Sequence, residues 1–140
     1  MNAKLSAFLL TGWGLFSQLP TNACTGITLK SKDGATIAAR TIEWAESVMN
    51  NMYVVVPRNQ ELQSFTPSGM DGVKFKVKHG FVGLAVEQKE FMVEGINEKG
   101  LSAGLFYFPN YGKYQPYDTN QKDQCLADFQ VVSYVLAKCS

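Results

Sequence analysis

The stretch Cys24 to Arg40, CTGITLKSKDGATIAAR, sets the expectation for the fold. Ile27 and Leu29 alternate with Thr28 and Lys30, the two-residue period of a strand. Lys32-Asp33-Gly34 follows, and a glycine that tolerates positive φ lets the chain reverse tightly. Residues 36–41 can then return antiparallel. A cysteine stands just before this hairpin, and an arginine closes its return strand.

Upstream of Cys24 the character changes. Lys4 and the initiating amine give a positive start, and residues 5–16 run apolar without a charge. Pro20 breaks any helix, and Thr21-Asn22-Ala23 places small side chains before Cys24. This order is that of a secretory signal peptide over residues 1–23. The apolar run is too short to span a bilayer comfortably, and a buried core helix would carry a polar face. An exported protein, periplasmic or secreted, is therefore expected. Lipid anchoring through Cys24 is the lesser alternative, because a lipoprotein site usually has Leu or a similar aliphatic where this chain has Thr21.

Downstream the pattern stays rich in strands. Residues 52–56 are mostly β-branched and end at Pro57; residues 58–72 form a polar loop. Val73, Phe75 and Val77 alternate with lysines, the signature of a half-exposed strand. Residues 81–86 and 91–93 continue the sheet, residues 94–100 read as a turn with two glycines, and residues 101–108 as another strand. Residues 109–124 are polar and Tyr-rich, a surface loop. Leu126, Phe129, Val132, Val135 and Leu136 then recur at helical spacing, with Asp123 placed to cap them. That helix is apolar on most sides and calls for cover on more than one face. The expected class is α+β, incomplete in this chain, with residues 24–140 as one domain and no internal repeat or linker.

Composition narrows the function. The chain has 140 residues, 46% hydrophobic and 18% charged, with net charge +1. So even a balance gives no field that favours nucleic acid or an acidic membrane. Nine Phe, six Tyr and two Trp argue against disorder. One His and three scattered Cys make no zinc spacing, and no Gly-rich phosphate loop is present. No cofactor and no metal are expected. A Cys–His protease would need His79 beside Cys24 or Cys125, and Lys78 and Gly80 on either side read as a turn. Three cysteines leave at least one thiol unpaired. A helix between Cys125 and Cys139 would hold them roughly 20 Å apart, too far for a disulfide, so both are expected as buried small apolar residues.

That leaves Cys24. Removal of residues 1–23 would give one residue both a thiol and a free α-amine. A thiol needs a base to become a nucleophile, and an α-amine has a similar proton affinity. The cleavage would create nucleophile and base together. The alternative of a different class is an exported or lipid-anchored β-rich binding module without catalysis.

Three runs give this reading a family. Cys24-Thr25-Gly26, then Ala39-Arg40-Thr41-Ile42-Glu43-Trp44, then Glu94-Gly95-Ile96-Asn97-Glu98-Lys99-Gly100-Leu101 together resemble the choloylglycine hydrolases. That family contains bile salt hydrolases and penicillin V acylases. The resemblance runs from Cys24 to Ser140, roughly the first third of a family member. It implies an αββα N-terminal-nucleophile hydrolase sandwich and hydrolysis of a small linear amide through a thioester. It implies Cys24 as nucleophile and amine base, and Arg40 beside the thiol, where a fixed positive charge favours thiolate. Glu43 stands where the family usually has Asp near the α-amine; it keeps the charge and is one methylene longer. Asn97 matches an Asn that contributes to the oxyanion hole. A second Asn and a further Arg fall beyond Ser140, so the 140-residue chain alone is expected to be inactive and poorly folded. Taken singly, Arg40, Glu43 and Asn97 are ordinary strand and turn residues; their order after Cys24 carries the reading. Met49, Met52, Phe65, Met70, Phe81 and Phe108 are candidates for a substrate pocket or for core. The complete protein could form a homo-oligomer.

Overall fold

A computed structural model describes residues 24–43, 48–107 and 111–140. The expected signal peptide, Trp44 and Phe108 lie outside the described residues. Eight strands and one α-helix are described, a mixed α+β arrangement. β1 (Gly26–Lys30) and β2 (Thr36–Arg40) form the expected hairpin, pairing Gly26 with Arg40 and Lys30 with Thr36. Gly34 takes φ +90° at its tip, a conformation that costs a glycine little.

The main sheet has four antiparallel strands in the order β3 (Asn51–Val56), β6 (Phe81–Val86), β7 (Met92–Asn97) and β8 (Ser102–Gly104). Between β3 and β6 the chain makes a separate two-stranded ribbon, β4 (Glu61–Gln63) and β5 (Lys74–Lys76). α1 spans Val131–Lys138.

Because successive residues of a strand point to opposite faces, the register sorts the sheet into two surfaces. One carries the rows Val56–Phe81–Asn97 and Val54–Gly83–Gly95–Ala103. α1 lies on this face. Val56, Phe75, Val77, Phe81, Met92, Val132, Leu136 and Ala137 make the core there. Gly95 lets the helix approach: a Cβ there would come within 2.8 Å of Leu136 Cδ1. Full burial of Leu136 stabilises the packing by about 1.5–3 kcal/mol.

The helix end is also satisfied. The last carbonyls of a helix lack intrahelical partners. Here the backbone N–H groups of Lys78 and His79 donate to Ala137 O at 2.9 and 3.1 Å. The ribbon is tied to the same region by a buried polar group. Ser64 Oγ donates to Gln130 Oε1 at 2.8 Å and accepts the backbone N–H of Ala127 at 2.8 Å.

Several sequence expectations are corrected. The polar loop contains β4, which forms because β5 offers it a partner. β5 joins that ribbon and not the main sheet. Residues 94–97 are strand and not turn, and the turn is confined to residues 98–100. β8 covers three residues of the strand expected over 101–108. Asp123 does not cap α1: it lies in a 3₁₀ segment, Thr119–Gln124, and Gln130 precedes the helix. Helical geometry is delayed because the Cys125 carbonyl accepts Val73 N–H and the Ala127 N–H is taken by Ser64. Cys139 is exposed and Cys125 half-buried, not core, and both are free thiols.

Candidate active site

The open end of the β1–β2 hairpin carries three of the four expected residues. Thr41, just past β2, is tied to the start of β1: its N–H donates to Thr25 O at 2.9 Å. Its hydroxyl accepts the Thr25 N–H at 3.0 Å. This double grip sets Cys24 beside the chain leaving β2. The Cys24 thiol donates to the Glu43 carbonyl oxygen at 3.8 Å, a long contact suited to sulfur. Glu43 Oε1 accepts the Thr41 hydroxyl at 3.0 Å. Cys24 is half-buried and Glu43 exposed.

Arg40 anchors the hairpin to the sheet. Its Nη1 donates to Val93 O at 3.1 Å and to Leu105 O at 2.5 Å, and its Nε to Thr41 O at 3.2 Å. The guanidinium carbon lies 4.6 Å from the centre of the Phe106 ring, a cation–π distance. Gly26, paired with Arg40, is required by this packing: a Cβ there would meet Phe106 Cζ at 2.6 Å.

Asn97 is elsewhere. It ends β7 on the helix-bearing face, four residues and about 13 Å along the strand from Val93. It is buried, and its amide is fully engaged. Nδ2 donates to Leu136 O at 3.0 Å and Cys139 O at 2.8 Å. Oδ1 accepts the N–H groups of Lys99 and Leu101 at 3.0 and 3.1 Å. With both amide hydrogens committed, an oxyanion could be served only by releasing one of these carbonyls.

Two concave regions flank Arg40. A cavity of about 320 Å³ includes Phe91, Leu105, Phe106, Tyr107, Tyr114 and Phe129 in its lining. Asp128 sits at its edge and, by its charge, holds the Tyr114 phenol above the ordinary tyrosine range. The sequence candidates for a pocket are distributed differently: Phe81 is core and Met70 is half-exposed. No one sequence pattern joins the residues that form the cavity: Phe91, Phe106 and Tyr107 fall in expected strands, Phe129 in the expected helix and Tyr114 in a polar loop. The second region is a groove of about 660 Å³ between the hairpin and the sheet face opposite α1, lined by Ile27, Ala38, Arg40, Val82, Glu94 and Ile96 among others.

Among the described residues no cluster of three or more His, Cys, Asp or Glu could hold a metal ion. No helix among them is long and apolar enough to cross a membrane.

The hairpin thus presents Cys24 at its open end and is anchored to the antiparallel sheet by Arg40. The sequence profile of the linear amide C-N hydrolases, choloylglycine hydrolase family, matches residues 24–140. The chain belongs to that family, whose fold is that of the N-terminal-nucleophile hydrolases. A bile salt hydrolase/transferase of Clostridium perfringens (strain 13 / Type A) is 27% identical over 117 residues, covering 84% of this chain and 34% of the relative. The chain thus spans about a third of the length of the curated relative it matches. No solved structure gives a significant match.

Proposed function

We propose that the full-length protein hydrolyses a linear amide C–N bond, of a conjugated bile salt or a penicillin V-like acyl amide, with Cys24 as the N-terminal nucleophile. The observation that carries this reading is the hairpin end, where hydrogen bonds link Cys24, Thr41 and Glu43 and Arg40 fixes the hairpin to the sheet, in a chain of this family. Cleavage after Ala23 would expose the thiol and a free amine at one residue, in a protein exported to the periplasm or beyond.

In this mechanism the thiol proton passes to the Cys24 α-amine. The thiolate attacks the amide carbonyl, giving a tetrahedral anion. The C–N bond then breaks, the departing nitrogen takes the proton from the α-ammonium, and a thioester remains. Water, deprotonated by the same amine, attacks the thioester, releasing the acid and restoring the thiol. Arg40 supplies a fixed positive charge at the hairpin end and holds Cys24's strand on the sheet. Glu43 holds its negative charge close to the site of the new amine. Asn97 is matched by resemblance to an oxyanion donor; its amide holds the C-terminus of α1 in this chain, so that role would use it with one of those hydrogen bonds released. The apolar acyl part of the substrate would enter the aromatic cavity beside Phe106, which lies within the 300–1,000 Å³ range of ligand pockets.

The αββα sandwich is the matching proposal for the fold. The sheet face opposite α1 exposes Tyr53, Val55, Val82 and Ile96 at 86, 74, 40 and 47%. A second sheet laid on these rows would bury them.

The test is turnover by the full-length mature protein, read as glycine or taurine released from conjugated bile salts and phenoxyacetate from penicillin V. We expect Cys24→Ser to lose activity nearly completely, while Cys125→Ala and Cys139→Ala retain it. Retained turnover in Cys24→Ser would point to another nucleophile.

A further inference from the structure

The hydrogen bonds at the hairpin end close into a ring, and Thr41 is the member that joins its two halves. Cys24 is covalently joined to Thr25, whose N–H donates to Thr41 Oγ1 at 3.0 Å. The Thr41 hydroxyl in turn donates to Glu43 Oε1 at 3.0 Å. The Glu43 carbonyl returns to the Cys24 thiol at 3.8 Å. The direction of the hydroxyl is fixed by chemistry. A peptide N–H can only donate and a carboxylate only accept, so the one hydroxyl proton goes to Glu43 and a lone pair faces Thr25.

Resting on the reading of Cys24 as nucleophile, we infer that Thr41 is a positioning residue. It holds the Glu43 carboxylate and the Cys24–Thr25 peptide in one fixed relation, so that the carboxylate faces the place where the Cys24 amine carries its proton. The backbone pair between Thr41 and Thr25 aligns the strands without any side chain. What the hydroxyl adds is the link from that backbone to the carboxylate. Glu43 is exposed, and its longer side chain has more rotamers than an aspartate, so an untethered carboxylate would turn to water. Valine has the shape of threonine without the hydroxyl and would keep the Thr41 N–H to Thr25 O bond while freeing Glu43 and the Thr25 N–H. Serine keeps the hydroxyl.

The experiment compares Thr41→Val, Thr41→Ser and Cys24→Ser in the full-length mature protein. Turnover of glycocholate and penicillin V is measured, with the rate of Cys24 alkylation by iodoacetamide as a function of pH. We expect Thr41→Val to lower kcat by about 10- to 100-fold with KM changed far less, the scale of a misplaced reacting group. The pH midpoint of Cys24 alkylation should move in the same variant, and Thr41→Ser should restore most of the rate. A merely structural role would lower the unfolding midpoint and leave the alkylation midpoint where it was. If Thr41→Val does not fold cooperatively, Thr41→Ala replaces it with the same expectations. Wild-type kcat and an unmoved alkylation midpoint in the hydroxyl-free variant, with Cys24→Ser inactive, would overturn the role of Thr41 alone. An active Cys24→Ser would overturn the nucleophile assignment, and this inference with it.

Discussion

On the face of the sheet that meets α1, Gly95 gives up its side chain so that Leu136 can sit fully buried, and Asn97 spends all four of its hydrogen-bonding positions on the helix end and the neighbouring turn. On the opposite face the same strands present Tyr53, Val55, Val82 and Ile96 largely to solvent. The hairpin that carries Cys24 and Arg40 borders this second face across an open groove. The difference teaches where stability and chemistry reside. The helix-bearing face is closed by its own contacts, with polar groups paired and apolar groups packed. The hairpin side keeps a thiol, a carboxylate and an apolar surface accessible, as the proposed reaction and the proposed second sheet both require.

The contrast can be broken most severely at Leu136. In the full-length protein, Leu136→Ala should destabilise by about 2–5 kcal/mol in urea unfolding, because it removes buried volume against Gly95, which has no side chain to fill the gap. On the hairpin side the largest effect should be on rate and not stability. We expect Arg40→Ala to lower turnover by about 100-fold, with Arg40→Lys retaining part, since lysine keeps the charge without the planar fork that spans Val93 and Leu105. Wild-type turnover in Arg40→Ala would remove Arg40 from the site.

Ile96 sharpens the comparison. If a second sheet covers the open face, Ile96→Thr should cost about 2 kcal/mol in the full-length protein. A change within about 0.5 kcal/mol is the behaviour of a surface position and would show that the face stays open.

The smallest expected effect is a pH dependence on the closed face. His79 is buried, its Nε2 has no hydrogen-bond partner among the described residues, and its Nδ1 lies 3.8 Å from Glu98. Burial, and then the charge of Lys78, hold its pKa below the ordinary 6.5; Lys99 and Arg58 act in the same direction and Glu98 against it. The unfolded chain therefore binds the proton more readily than the folded one. The His79 contribution is full above pH 6.5 and is lost as pH falls through the lower folded value. Urea midpoints should drop between pH 7.5 and pH 5, and His79→Phe should flatten that part of the slope.

Much of this was legible in sequence wherever a local pattern decided the outcome. The β1–β2 hairpin followed from the alternation of Ile27 and Leu29 and from Asp33-Gly34. What escaped was set by distant partners. Glu61-Leu62-Gln63 has no β-branched residue and becomes strand only because Lys74–Lys76 pairs with it. Gly95 reads as a turn residue, and its use inside β7 depends on a helix some forty residues later. Leu126 and Phe129 share the helix's spacing, yet backbone bonds to Val73 and Ser64 keep their segment out of it. Cys24, Arg40 and Glu43 could be picked out by order alone, and the hairpin brings them to one end. The same order singled out Asn97, but no sequence pattern could reveal that its amide is engaged on both sides by backbone.

The central claim is that Cys24 becomes an N-terminal residue whose own amine serves its thiol. Its most direct test is the intact mass and N-terminal sequence of the mature protein isolated from its native host. A chain that begins at Cys24 with an unmodified amine is the expected result. A mature chain that begins elsewhere, or a Cys24 carrying a lipid, would contradict it, because a nitrogen in an amide bond has no basic lone pair to take the thiol proton.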